Sequence, residues 1–126
     1  MDEDSQPAVL RILFADDDVD VLRAVARVLT RGGHEVTACE TAEEAIRFIG
    51  TGASIDLLLL DYSLGKGTWY VDLGNAARQT SPTVETMLLS GENLADVELV
   101  DRVAFIEKPV RPADLLAAIA RMCARD

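Results

Sequence analysis

The chain has 126 residues, which suits one compact domain and leaves no room for a second. Its hydrophobic fraction of 49% is enough for a real core, and no apolar run approaches the ~18 residues of a membrane span. Twenty-two acidic against twelve basic side chains give a formal charge of −10, which argues against nucleic acid as a direct partner, because a phosphate backbone needs a Lys/Arg-rich face.

Residues 1–7 are acidic and polar, with neither the basic nor the apolar region of a secretory leader, so they read as a mobile tail ahead of a domain over 8–126. Residues 9–15 then form an apolar run of strand length. A helical stripe follows in Val21, Leu22, Val25, Val28 and Leu29, ended by Gly32 and Gly33. Residues 35–39 alternate weakly and read as an edge strand, and Ala42, Ala45, Ile46 and Ile49 make a second stripe, stopped by Gly50. Apolar runs at 57–60, 84–89 and 103–106 complete five predicted strands. Between them, 70–79 and 94–100 carry looser helical spacing, with Gly74 interrupting the first. A last stripe joins Leu115, Leu116, Ile119, Met122 and Cys123, with Pro112 suited to its first turn. Strands alternating with helices predict an α/β fold with helices on both faces of a parallel sheet. Cys39 and Cys123 lie far apart outside any zinc-type spacing, so they read as reduced, buried thiols of a reducing compartment. A cytoplasmic protein is expected.

The polar groups fall at telling places. Asp16 and Asp17 follow the first apolar run, Asp61 the third, Ser90 the fourth and Lys108 the fifth. In an open parallel sheet, ligands bind beyond the carboxyl ends of the strands. Three carboxylates gathered within ~5 Å would repel by roughly 3 kcal/mol per pair at an effective dielectric near 20. A divalent cation relieves that repulsion, and an all-oxygen shell suits Mg²⁺ or Mn²⁺. Lys108 adds a compact positive charge and Ser90 a hydroxyl donor, so the set is suited to phosphoryl transfer onto a carboxylate.

In sequence order, Ile-Leu-Phe-Ala-Asp16-Asp17-Asp18, Asp56-Leu-Leu-Leu-Leu-Asp61, Met87-Leu-Leu-Ser90-Gly91 and Phe105-Ile-Glu-Lys108-Pro109 resemble the motif blocks of response-regulator receiver domains, covering about residues 9–125. The resemblance implies a flavodoxin-like (βα)5 three-layer sandwich with strand order 2-1-3-4-5. It implies Asp61 as phosphoacceptor, Asp17 as a direct metal ligand, Asp16 acting through a metal-bound water, and the Ser63 backbone carbonyl as a further ligand. Ser90 would be the switch hydroxyl, with Lys108 and the Gly91 amide on the phosphate and Phe105 the aromatic that reorients. Pro109 would follow a cis peptide bond, and Ser63 and Glu92 would tune hydrolysis. The implied donor is a sensor histidine kinase or histidine phosphotransfer protein, and the implied role is signalling to a downstream protein, not enzymatic turnover.

Two stretches depart from the family pattern. Leu64-Gly65-Lys66-Gly67-Thr68-Trp69 stands where a Pro and a later Gly are usual, and the span from Ser90 to Lys108 is short by about four residues, roughly one helical turn. A short or irregular fourth helix is therefore expected. Gly65-Lys66-Gly67-Thr68 fails as a phosphate loop, because Thr does not directly follow Lys. Asp18 and Asp20 read as helix-capping and first-turn acids before extra ligands, and His34 as a surface side chain without a role. Trp69 and Tyr70 either pack at a helix start, shield the site mouth or offer a partner contact. Two other functions fit less well. A small phosphohydrolase would take its nucleophile from Asp16-Asp17-Asp18 or Asp18-Val19-Asp20, and a degenerate receiver would bind partners without phosphate.

Overall fold

The computed structural model describes residues 9–65, 69–91 and 103–123. Five parallel strands lie in one sheet: β1 (Arg11–Ala15), β2 (Glu35–Cys39), β3 (Leu57–Asp61), β4 (Glu85–Ser90) and β5 (Val103–Glu107). Their spatial order is β2-β1-β3-β4-β5, as the resemblance implied. The described helices are α1 (Val19–Arg31), α2 (Ala42–Gly50), α3 (Trp69–Arg78) and α4 (Pro112–Met122), with one 3₁₀ turn at Tyr62–Leu64. The tail at 1–7, the helix expected at 94–100 and Glu92 lie outside the described residues.

Strand alternation builds the three layers. Leu58 and Leu60 of β3 join Leu13 and Ala15 of β1 in a core under Ala45 and Ile49 of α2 and Leu73 and Ala77 of α3. Leu57 and Leu59 face the other way, with Ile12, Phe14, Met87 and Leu89, onto Leu22 and Leu29 of α1 and Leu115 and Ile119 of α4. A strand covered on both faces has no polar side, which is why β3 reads as four consecutive leucines, all fully buried.

Local chemistry sets the element ends. The Asp18 carboxylate caps α1, accepting from the amides of Asp20 and Val21, which bears out the capping expectation. Gly33 leaves that helix with φ 96°, a left-handed conformation that only glycine adopts at little cost. Thr41 caps α2 by accepting from the Glu44 amide, while the Glu44 side chain accepts from the Glu40 amide.

Three expectations need correction. Ile46 is 57% exposed, because the buried line of α2 runs through Ala45 and Ile49, and the next residue is turned about 100° away. Gly74 does not break α3. It is buried, and the helix runs through it. His34 has a role: its Nδ1 accepts the Leu10 amide at 3.1 Å, extending the β1–β2 ladder by a side chain. Burial lowers the His34 pKa, which keeps that nitrogen an acceptor.

Cys39 and Cys123 are both buried and form no disulfide. Burial, with Glu44 adding to it, pushes the Cys39 thiol up to about 11, so it is an inert core group. Among the described residues, no helix is long and apolar enough to cross a membrane.

Candidate functional site

Each site residue sits where a strand stops. The Asp16 amide donates to the Cys39 carbonyl at 3.0 Å, so the ladder to β2 runs one residue past β1 and fixes the start of the acidic turn. Asp61 closes β3 and also caps the 3₁₀ turn, with its side chain accepting from the Ser63 amide. Ser90 ends β4 opposite Glu107 of β5, and the Lys108 amide donates to the Ser90 carbonyl at 2.7 Å. The hydroxyl-bearing and ammonium-bearing residues are thereby tied together through their backbones.

Side chains from the ends of β1, β3 and β5 then converge. Ligand oxygens of Asp16, Asp17 and Asp61 lie within 4.8 Å of one another. Lys108 Nζ stands 2.8 Å from Asp16 Oδ2 and 3.6 Å from Asp61 Oδ1. Asp16 is fully buried and Asp61 is 4% exposed, whereas Asp17 faces solvent at the cluster's open side. Ser63 bonds Asp61 twice, through its amide to Oδ1 at 3.3 Å and its hydroxyl to Oδ2 at 3.1 Å. Ser90 is buried at the end of its strand, Gly91 is exposed beside it, and Phe105 is half-buried in β5 opposite Leu88. The Lys108–Pro109 bond is cis.

The electrostatics explain what such a cluster lacks. Burial raises the Asp61 pKa, and the Asp16 carboxylate raises it further, against smaller lowering by Lys108 and the Ser63 hydrogen bonds. Burial of the Lys108 ammonium lowers its pKa, but the hydrogen bond and charge of Asp16, with Asp61 behind them, prevail and raise it. Three carboxylates against one ammonium leave an unbalanced negative charge in a mostly buried place. A hard divalent cation fits that donor set, with oxygen ligands only and one side open for water.

Asp16 is the more enclosed of the two buried carboxylates. Its Oδ1 accepts the Asp18 amide at 2.9 Å and its Oδ2 the Lys108 ammonium at 2.8 Å, with no solvent-exposed surface left. The sequence reading missed the contacts of Trp69. Its indole lies against Gly65 and its Nε1–H donates to the Tyr62 carbonyl at 3.4 Å, while Tyr70 is buried in the core. Packing at a helix start, one of the readings of this pair, is borne out.

With the site described, likeness to known proteins adds a separate line. The family model for the response regulator receiver domain matches residues 12–120. Two-component response regulator ORR7 of Oryza sativa subsp. japonica is 30% identical over 117 residues, covering 87% of this chain and 55% of the rice protein. The chain thus spans about half the length of that relative, but 86% of ORR5 from the same plant, at 27% identity and 90% of this chain. Among solved structures, a response regulator receiver protein from Sinorhizobium medicae WSM419 superposes with a TM-score of 0.78 at 28% identity. That match covers 94% of this chain and 98% of the other. A CheY-like receiver domain from Methanospirillum hungatei JF-1 gives 0.74 at 28% identity, covering 90% and 93%.

Proposed function

Starting from a chain that belongs to the response regulator receiver domain family, we propose that Asp61 is a phosphoacceptor, charged from a phosphohistidine donor in a Mg²⁺-dependent reaction. The observation that carries this reading is the gathering of Asp61, Asp16 and Asp17 within 4.8 Å, with the Lys108 ammonium 3.6 Å from Asp61.

Asp61 supplies the nucleophile. One of its carboxylate oxygens bonds to phosphorus as the phosphorus–nitrogen bond breaks, and the leaving imidazole nitrogen keeps the electron pair and takes up a proton. Such a transfer needs positioning and charge neutralisation more than covalent help. Asp17, Asp61 and the Ser63 carbonyl would hold the metal directly, and Asp16, fully buried beneath Lys108, would act through a bound water. When bound, the metal supplies positive charge against the phosphoryl oxygens. Lys108 supplies a second positive charge, and the Ser90 hydroxyl and Gly91 amide supply hydrogen bonds to the same oxygens.

Phosphorylation adds charge of about −1.5 to −2 beside these groups. Recruiting Ser90 and Lys108 to that charge, with Phe105 following Ser90, biases a two-state equilibrium toward a form that a downstream protein recognises. Ser63 and Glu92 would set how long the acyl phosphate survives. The protein is in this reading a signalling switch without turnover of a substrate of its own, working in the cytoplasm.

The test is incubation with Mg²⁺ and a small-molecule phosphodonor, followed by intact mass. Wild type should gain one phosphoryl group that is lost on mild base treatment, and Asp61→Asn should gain none. Equal labelling of both proteins, or labelling of neither, would refute the assignment; labelling of neither would point to a receiver fold used as a phosphate-independent binding module.

A further inference from the structure

Trp69 stands closer to the chemistry than its place in a helix implies. Asp61 is held on one side by Lys108 and on the other by Ser63, whose amide and hydroxyl reach its two oxygens. Ser63 itself is exposed, so no packing around its own side chain keeps it there. Its position comes from the three-residue turn Tyr62–Leu64, which contains no proline to stiffen it.

Trp69 braces that turn at both ends. Before the turn's middle, its Nε1–H donates to the Tyr62 carbonyl at 3.4 Å. After it, the indole lies so near Gly65 that a Cβ there would fall inside the contact distance of Cγ, Cδ1 and Cδ2. Gly65 has φ −118° and ψ −169°, an extended conformation open to any residue, so the glycine is required by the ring and not by the backbone. The neighbouring Tyr70 ring meets the Tyr62 ring with centroids 6.2 Å apart, adding a third point of attachment.

We infer that Trp69 is a positioning residue for the phosphoacceptor: seated on Gly65 and bonded to the Tyr62 carbonyl, it holds the Tyr62–Leu64 turn so that Ser63 keeps its two hydrogen bonds to Asp61. The inference rests on the phosphoacceptor reading for its purpose, but the hold itself is measurable without metal or phosphate.

Three variants of the full chain separate positioning from packing. Trp69→Phe keeps a ring on Gly65 and removes the Nε1–H. Gly65→Ala keeps the tryptophan and displaces its ring. Leu73→Ala weakens the same core while removing no atom of Trp69, Gly65 or the Tyr62–Leu64 turn. Amide exchange at Ser63 in metal-free protein and Mg²⁺ affinity by calorimetry are the two readouts. Both Trp69→Phe and Gly65→Ala should speed Ser63 exchange and weaken Mg²⁺ binding about tenfold, the scale on which supporting residues tune metal sites. Leu73→Ala should lower the melting temperature and leave both readouts at wild type. Readouts that stay at wild type in the first two variants, or that move as far in Leu73→Ala, overturn the inference. Faster Ser63 exchange in Trp69→Phe and Gly65→Ala, in a protein whose wild type binds no Mg²⁺, upholds the brace and refutes the metal-dependent reading instead.

Discussion

Asp61 is a costly residue in the metal-free protein. Its carboxylate is buried beside that of Asp16, and Lys108 cannot neutralise both. A carboxyl whose folded pKa lies above its unfolded one holds its proton more tightly when folded. Its favourable contribution is therefore present below the ordinary value of 3.8 and is lost as pH rises through the raised folded value. The whole cost is felt above that raised value. Asp61→Asn should then stabilise the metal-free fold at pH 7 by about 1–3 kcal/mol, the scale of one unrelieved carboxylate pair at an effective dielectric near 20. Urea unfolding at pH 7 and again near pH 4 checks this. The variant's advantage should shrink at the lower pH, and an advantage independent of pH would contradict the linkage. The acids of this site were legible in the sequence because each follows an apolar run. What Trp69 and His34 touch was not. An indole seated on a glycine and an imidazole nitrogen accepting a strand amide are long-range or turn-dependent contacts with no periodic signature.

At the scale of elements, the readable features were those fixed by local chemistry. The four leucines of β3 announce a strand buried on both faces, and Asp18 ahead of Val19 and Asp20 announces a helix start. Asp18 is the hinge between fold and site, since its own amide bonds Asp16 while its carboxylate caps α1. Asp18→Ala should cost about 1 kcal/mol of stability, the usual penalty for a lost N-cap. Because the Asp16 turn frays with the first turn of α1, Mg²⁺ affinity should fall as well. Thermal unfolding with and without Mg²⁺ would measure both, and a stability loss with unchanged metal affinity would separate the cap from the site. The less readable elements were α3, whose glycine the helix absorbs, and α2, whose Ile46 adjoins the buried line without belonging to it.

The whole molecule carries a formal charge of −10, of which the site is only one part. Two kinds of salt response follow. Monovalent salt screens general self-repulsion, so the melting temperature should rise gradually with ionic strength. Mg²⁺ should do more at matched ionic strength, because binding to the folded state alone adds RT ln(1 + [L]/Kd) to stability. Differential scanning fluorimetry in NaCl and MgCl₂ series separates the two. In Asp17→Asn the curves should nearly coincide, whereas a persistent Mg²⁺ excess would place the ion elsewhere.

The backbone bond from Lys108 to the Ser90 carbonyl has a consequence for how this molecule can vary. The two residues are separated by a long excursion of chain, yet their spacing is set by adjacent strands and does not depend on how the chain travels between them. Insertions or deletions between them leave the hydroxyl-bearing and ammonium-bearing residues in register, because β4 and β5 pair from Thr86 with Val103 to Ser90 with Glu107. The sheet, and not the connection, fixes the distance between them.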